Sequence, residues 1–263
     1  NLVQGLVNAG VQLDSTVLAA YESWCTASVN DPDPGFWGHW PRYYAEMPVK
    51  QDWIQAAAKR CQTAVVVIGR SAGEDRENTL KKGSFYLTNK EKALLDAVTT
   101  AFQKVVLVLN IGSIMDFAEI DAYGDKISAI LLAWQLGMES GNAVADVLTG
   151  QVNPSGRLTD TIAKTYADYP AQNFGNKAEN RYTEDIFVGY RYFETFAPER
   201  VLYPFGYGLS YTDFACKVTK TETKDQTVSV QVQVENTGAL PGKQVVQLYA
   251  CCPCGALGKA AKV

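Results

Sequence analysis

Thr63-Ala-Val-Val-Val-Ile68 is an unbroken run of small and β-branched apolar residues. Such a run is the composition of a strand buried on both faces of a parallel sheet. A helical stretch over residues 51–60, with three consecutive alanines, feeds directly into it. Downstream the same cycle repeats. Thr88 stands three residues before Glu91, a capping-box spacing, and opens a helix that runs to about Phe102. Val105-Val-Leu-Val-Leu109 reads as a second buried strand, and a short helix over 116–123 leads to a third, Ser128-Ala-Ile-Leu-Leu-Ala133. A further helix over 141–148 stops at Gly150 and the turn Asn153-Pro-Ser-Gly156. Strands alternating with helices, with the strands apolar throughout, predict a parallel sheet joined by right-handed crossovers.

Residues 1–24 carry apolar positions at helical spacing, broken by a glycine turn. Residues 30–50 form a Pro- and aromatic-rich stretch with Trp37, His39, Trp40, Tyr43 and Tyr44, for which packing onto the sheet is a simpler role than sugar stacking. Past residue 165 the composition shifts to Tyr, Phe, Gly and Pro with little periodicity. Tyr190 and Tyr192 read there as packing residues. From Phe214 the period changes to two: Thr227-Val-Ser-Val-Gln-Val-Gln-Val-Glu235, then Asn-Thr-Gly, then Gln244-Val-Val-Gln-Leu-Tyr249. That alternation is the entry to an antiparallel sandwich. Such a domain needs roughly a hundred residues, more than the 213–263 segment supplies. The fold class is therefore α/β: an α/β sandwich with a mostly parallel sheet flanked by helices, followed by an incomplete antiparallel β-sandwich. Its expected divisions are 1–165, a connecting segment 166–212, and 213–263. Both ends, Asn-Leu-Val-Gln-Gly at the start and Gly258-Lys-Ala-Ala-Lys-Val263 at the finish, read as cut.

With 263 residues, 47% of them apolar, the chain has material for two packed domains. Its 24 basic and 28 acidic residues leave a formal charge of −4, and the basic ones are scattered. This argues against nucleic-acid partners and anionic membranes. No run approaches the roughly 20 apolar residues of a membrane span. Cys25, Cys61 and Cys216 are isolated among apolar neighbours, as buried structural thiols are. Cys251, Cys252 and Cys254 crowd into Cys-Cys-Pro-Cys, yet no second cluster exists and the one histidine, His39, is remote. Zinc sites pair such clusters or add histidines at short spacing, so no metal is expected. Cysteine usage of this kind favours a reducing, cytoplasmic compartment.

Open α/β sheets bind ligands at the carboxyl ends of their strands. Three such ends are legible: 69–78, 110–113 and 134–141. The first, Gly69-Arg-Ser-Ala-Gly-Glu-Asp-Arg-Glu-Asn78, is the longest and most polar. Glycoside hydrolysis needs one carboxylic acid to protonate the leaving oxygen and a second carboxylate across the bond. Glu74 suits the first role: Asp75 and Glu77 favour its protonated form and Arg76 opposes them. On residue types alone a solvated charged loop fits the stretch as well. A nucleotide site would need Gly-x-Gly-x-x-Gly between strand and helix, which is missing. A serine nucleophile would need a Gly-x-Ser-x-Gly elbow, also missing.

Four segments together resemble glycoside hydrolase family 3, a group dominated by β-glucosidases and other exo-acting enzymes. They are Gly69-Arg-Ser-Ala-Gly-Glu-Asp-Arg with Lys82-Gly-Ser-Phe-Tyr-Leu87; Asn110-Ile-Gly; the stretch from Gly141 through Asn153-Pro-Ser-Gly-Arg-Leu158; and Val188-Gly-Tyr-Arg-Tyr-Phe-Glu through Tyr203-Pro-Phe-Gly-Tyr-Gly-Leu-Ser-Tyr-Thr-Asp-Phe214. The resemblance covers nearly the whole chain and implies a fibronectin-type-III-like continuation after Phe214. It implies a division of labour: a TIM barrel of the same polypeptide supplies an aspartate nucleophile, and the loop carrying Ala-Gly-Glu-Asp-Arg supplies the acid/base. Glu74 inherits that role, with Arg70, Asp75 and Arg76 as substrate-binding neighbours and a terminal β-glycoside or oligosaccharide as substrate. Retention of configuration would follow, with the two carboxyls about 5 Å apart. No cofactor is implied, and a homo-oligomer is left open.

The barrel's Ser-Asp-Trp segment does not occur here. Gln51-Asp52-Trp53 imitates it on a helix and reads as a decoy, Thr159 stands where these enzymes often carry proline, and Cys-Cys-Pro-Cys replaces a small or polar loop. By itself the chain is expected to be inactive, and a non-catalytic carbohydrate-binding or assembly module is the alternative reading.

Overall fold

The computed structural model describes residues 1–27, 41–73, 78–171, 178–252 and 261–262. The chain divides into two compact units, Asn1–Ala145 and Asp146–Val263. This division does not coincide with the composition change near residue 165. A short strand at 162–163 pairs forward, across that change, with one at 201–203.

The first unit opens with α1 (Leu2–Asn8) and α2 (Ser15–Thr26). Asp14 caps α2 by accepting from the amides of Thr16 and Val17, and Arg60 donates to the same carboxylate at 2.6 Å. α3 (Gln51–Ala58) carries the Asp52-Trp53 pair in its first turn, where the Trp53 ring lies 6.5 Å from that of Tyr21. β1 (Thr63–Arg70) follows, then α4 (Asn89–Ala101), β2 (Lys104–Ile111), the single turn α5 (Ala118–Asp121), β3 (Ala129–Leu132) and α6 (Ser140–Leu148). The strands form one parallel sheet in the order β1-β2-β3. β2 is its centre, and Val105, Leu107, Val108, Leu109 and Ile111 on it are buried.

β1 departs from expectation. Among the described residues it is an edge strand, with a period-two pattern, Val66, Ile68 and Arg70 buried while Val65 and Val67 stay exposed. Composition marks the strand correctly but cannot say that only one of its faces is covered.

In the second unit β4 (Ile162–Ala163) pairs antiparallel with β5 (Val201–Tyr203). Between them lies α7 (Tyr190–Phe196), whose Phe193 packs with Ala163 and Ala197 in a small core ringed by Tyr169, Tyr192 and Val201. The packing expected of Tyr192 is thus observed. β6 (Phe214–Lys224) and β7 (Thr227–Asn236) form an antiparallel hairpin turning at Asp225, whose φ is 55°. β8 (Cys251–Cys252) and β9 (Ala261–Lys262) form a further short pair.

Residues 244–249, expected as a strand, join no sheet, and their side chains are used instead. Gln244 accepts from Arg157 at 2.9 Å, and Tyr249 packs edge-on against Tyr190. The turn at 153–156 and the stretch 206–211 are zipped together. Gly206 donates to the Leu158 carbonyl, Leu158 to that of Tyr207, and Asn153 Oδ1 accepts from the Ser210 hydroxyl and the Tyr211 amide. Two of the most distinctive sequence segments are therefore two sides of one structural seam.

Candidate active site

Because β1 and β2 pair in register through Gly69–Asn110 and Arg70–Ile111, their following loops leave the sheet at one edge. The loop after β3 joins them there. Asn110 Nδ2 donates to the Trp134 carbonyl at 2.5 Å, and Gln135 Nε2 donates to the Ala72 carbonyl at 3.3 Å. Trp134 holds φ at 55°, a left-handed conformation uncommon for a bulky residue and typical of functional edges. Gly112 permits the convergence: a methyl there would stand 2.3 Å from the Ala72 side chain and 2.6 Å from that of Gln135. The three strand ends singled out in the sequence meet at one place.

Arg70, the last residue of β1, is only 6% exposed. Its guanidinium grips both oxygens of Glu91, at 2.6 and 2.8 Å. The three remaining N–H groups face the carbonyls of Gly69, Ser84 and Tyr86. All five donors of the fork thus have protein acceptors. The Tyr43 ring lies 5.7 Å from the guanidinium, against Gly83, whose φ of +80° and lack of a side chain make room for it. The Arg42 carbonyl accepts from the Ser71 amide at 2.7 Å. Of the aromatic stretch, Tyr43 therefore packs over the sheet edge, whereas Trp37, His39 and Trp40 lie outside the described residues.

Glu91 has a second task. Its carboxylate accepts from the Thr88 amide while the Thr88 hydroxyl accepts from the Glu91 amide, which is the expected capping box. The ion pair with Arg70 was not legible. Its only signal is an arginine closing an otherwise apolar strand, and the choice of partner is tertiary. Glu46 was also missed. It accepts from the Tyr21 hydroxyl at 2.9 Å and the Met47 amide at 2.8 Å, and burial holds its carboxyl above the usual range.

Glu74, Asp75 and Arg76 lie outside the described residues. What is placed is the frame on either side of them, Gly69–Gly73 before and Asn78–Thr79 after. Elsewhere in the first unit, a shallow groove between α4 and α5 is lined by Lys92, Asp96, Glu119, Ala122 and Tyr123. Its charges are already matched, Lys92 to Glu119 and the Tyr123 hydroxyl to Asp96. Among the described residues no group of three or more His, Cys, Asp or Glu side chains is arranged to hold a metal. Nor is any of their helices long and apolar enough to cross a membrane.

Residues 12–211 match the family model described as the glycosyl hydrolase family 3 C-terminal domain. A β-glucosidase of Ruminococcus albus is 44% identical over 263 residues, covering 100% of this chain and 27% of the relative. β-Glucosidase A of Butyrivibrio fibrisolvens is 40% identical, over 85% of this chain and 32% of the relative. Among solved structures, a β-glucosidase from Paenibacillus barengoltzii superposes with a TM-score of 0.92 at 42% identity, over 100% of this chain and 29% of its own. β-Glucosidase 3B from Thermotoga neapolitana, in complex with glucose, gives 0.88 at 34% identity, over 100% of this chain and 37% of its own. The chain spans about a quarter to a third of the length of these relatives. On the family model and on these identities together, the chain belongs to glycoside hydrolase family 3.

Proposed function

We propose that this chain is the acid/base half of a retaining, exo-acting β-glycosidase of the β-glucosidase type. Glu74 is its general acid/base, and an aspartate from a TIM barrel of the same polypeptide is its nucleophile. The observation that carries the reading is the convergence of three loops at the carboxyl edge of the parallel sheet, with the root of the Glu74 loop clamped by Arg70 and Glu91. Residues 1–165 would hold that loop, 166–212 would connect, and 213–263 would begin the fibronectin-type-III-like part. Cys25 and Cys216 are exposed and Cys61 is half-buried, so they are not the buried structural thiols expected. A reducing, cytoplasmic setting rests on cysteine usage alone.

In the first step the protonated Glu74 carboxyl gives its proton to the glycosidic oxygen while the aspartate attacks the anomeric carbon. The alcohol leaves and a glycosyl-enzyme ester remains. In the second step the Glu74 carboxylate takes a proton from water, water attacks the same carbon, and the ester bond breaks with net retention. Asp75 and Arg76 flank the acid and would meet the sugar directly. Arg70, with every donor already matched, serves binding by fixing the loop root.

The test is Glu74→Gln in the complete enzyme, read as kcat/KM on two glucosides. A substrate with a poor alkyl leaving group should lose about 10²- to 10⁴-fold, and a dinitrophenyl glucoside, which needs little protonation, far less. The 263-residue chain alone should turn over neither. Normal hydrolysis of both substrates by the variant would refute the assignment and favour a non-catalytic carbohydrate-binding module.

A further inference from the structure

The segment proposed to carry the acid/base is tied at both ends to one buried residue, by its main-chain carbonyl on the entry side and its hydroxyl on the exit side. Ser84, 4% exposed, sits in the turn between that segment and α4. Its carbonyl accepts from Arg70 Nε at 3.2 Å, on the entry side. Its hydroxyl accepts from the Thr79 amide at 3.0 Å and donates to Asn78 Oδ1 at 3.2 Å, on the exit side. Asn78 in turn donates its side-chain amide to the Ile114 carbonyl, in the loop after β2, at 2.6 Å. The exit side of the segment and the loop after β2 thus meet through the neutral side chains of Ser84 and Asn78.

A solvated surface loop has no need of such a clamp. Burying a hydroxyl is neutral only while its partners are kept, so the arrangement resists displacement. A general acid has a strict geometric requirement, because it works only within hydrogen-bond reach of the oxygen it protonates. We infer that Ser84 and Asn78 are positioning residues for the acid/base, anchoring the exit of its segment at residues 78–79 to the loop after β2 so that Glu74 is presented to the leaving oxygen. The inference rests on the reading of Glu74 as the acid/base.

Ser84→Ala and Asn78→Ala are to be made in the complete enzyme, each alone and combined with Glu74→Gln. Asn78 is exposed, so its variant tests the point even if loss of the buried Ser84 hydroxyl impairs folding. Each single variant should lose about 10- to 100-fold in kcat/KM for the alkyl glucoside, as expected when a catalytic group is misplaced by about an ångström. The dinitrophenyl glucoside should lose far less. Ser84→Thr, which retains the hydroxyl, should restore most of the loss, and added to Glu74→Gln neither alanine variant should reduce alkyl glucoside hydrolysis further.

Equal losses on both substrates would reveal a merely structural role and overturn the inference. So would a selective loss that persists at full size in the Glu74→Gln background, because the two residues would then act through another group. If Glu74→Gln itself discriminates between the substrates and the Ser84 and Asn78 variants do not, the inference fails while the acid/base assignment stands.

Discussion

Glu91 answers to two partners, the first turn of its own helix and the arginine closing β1. The two bonds differ in what their loss leaves behind. Thr88→Ala removes a helix cap, a change of about 1 kcal/mol. Glu91→Ala also strands a buried guanidinium, for which about 3–5 kcal/mol is typical. Urea unfolding of the two variants should therefore separate them by at least about 2 kcal/mol; equal destabilisation would mean that the guanidinium finds water or another carboxylate. The capping box was legible because it is local, a threonine and a glutamate three residues apart. The ion pair was not, since nothing within a few residues of Arg70 names a partner 21 positions away.

Among the elements, those set by short-range pattern appear where the sequence places them: the helix after Thr88, the three parallel strands, the strand at 227–235. That strand pairs with the one before it, not with residues 244–249. Residues 244–249 form no strand, for an alternating pattern specifies faces but forms a ladder only beside a neighbour. The described part of the segment joining α2 to α3, residues 41–50, has no regular period, and one of its anchors is the Glu46–Tyr21 bond. Burial raises the Glu46 carboxyl from its ordinary value of 4.5, so the folded state holds that proton more tightly than the unfolded one. The resulting stability is complete below pH 4.5 and is lost as pH rises through the folded value. Glu46→Gln retains an acceptor for the Tyr21 hydroxyl and removes the desolvated charge. Thermal melts should place its midpoint above that of the unsubstituted protein at pH 7–8, with a flatter slope on going from acid to neutral pH. A lower midpoint at pH 8 would show that the carboxylate earns more from its hydrogen bonds than burial costs it.

At the scale of the whole molecule the two units differ in how they cover their apolar residues. In the second unit Val228, Val230, Val232 and Val234 share one face of β7, with Val218 opposite Val232. Val218 and Val228 are 57% and 58% exposed. Val230 and Val232 are half-buried beside Val246 and Leu248, so the face is covered in part and open at Val218 and Val228. An exposed apolar patch of this sort binds amphiphilic dyes and promotes association. The purified 263-residue chain should therefore enhance anilinonaphthalene sulfonate fluorescence, and Val218→Thr with Val228→Lys should reduce the signal without lowering the melting temperature. Enhancement that survives the double variant would place the dye elsewhere.

The strand order β1-β2-β3 has a consequence for how the chain is made. Among the described residues, each strand of the parallel sheet pairs with the next one synthesised, Thr63 with Lys104 and Val106 with Ala129. As β2 leaves the ribosome, β1 and α4 are already available to receive it, and β3 then adds to a finished edge. Assembly can follow translation step by step. Arg70 and Glu91, which meet at the root of the loop after β1, both precede β3 in the chain and can pair before it is made.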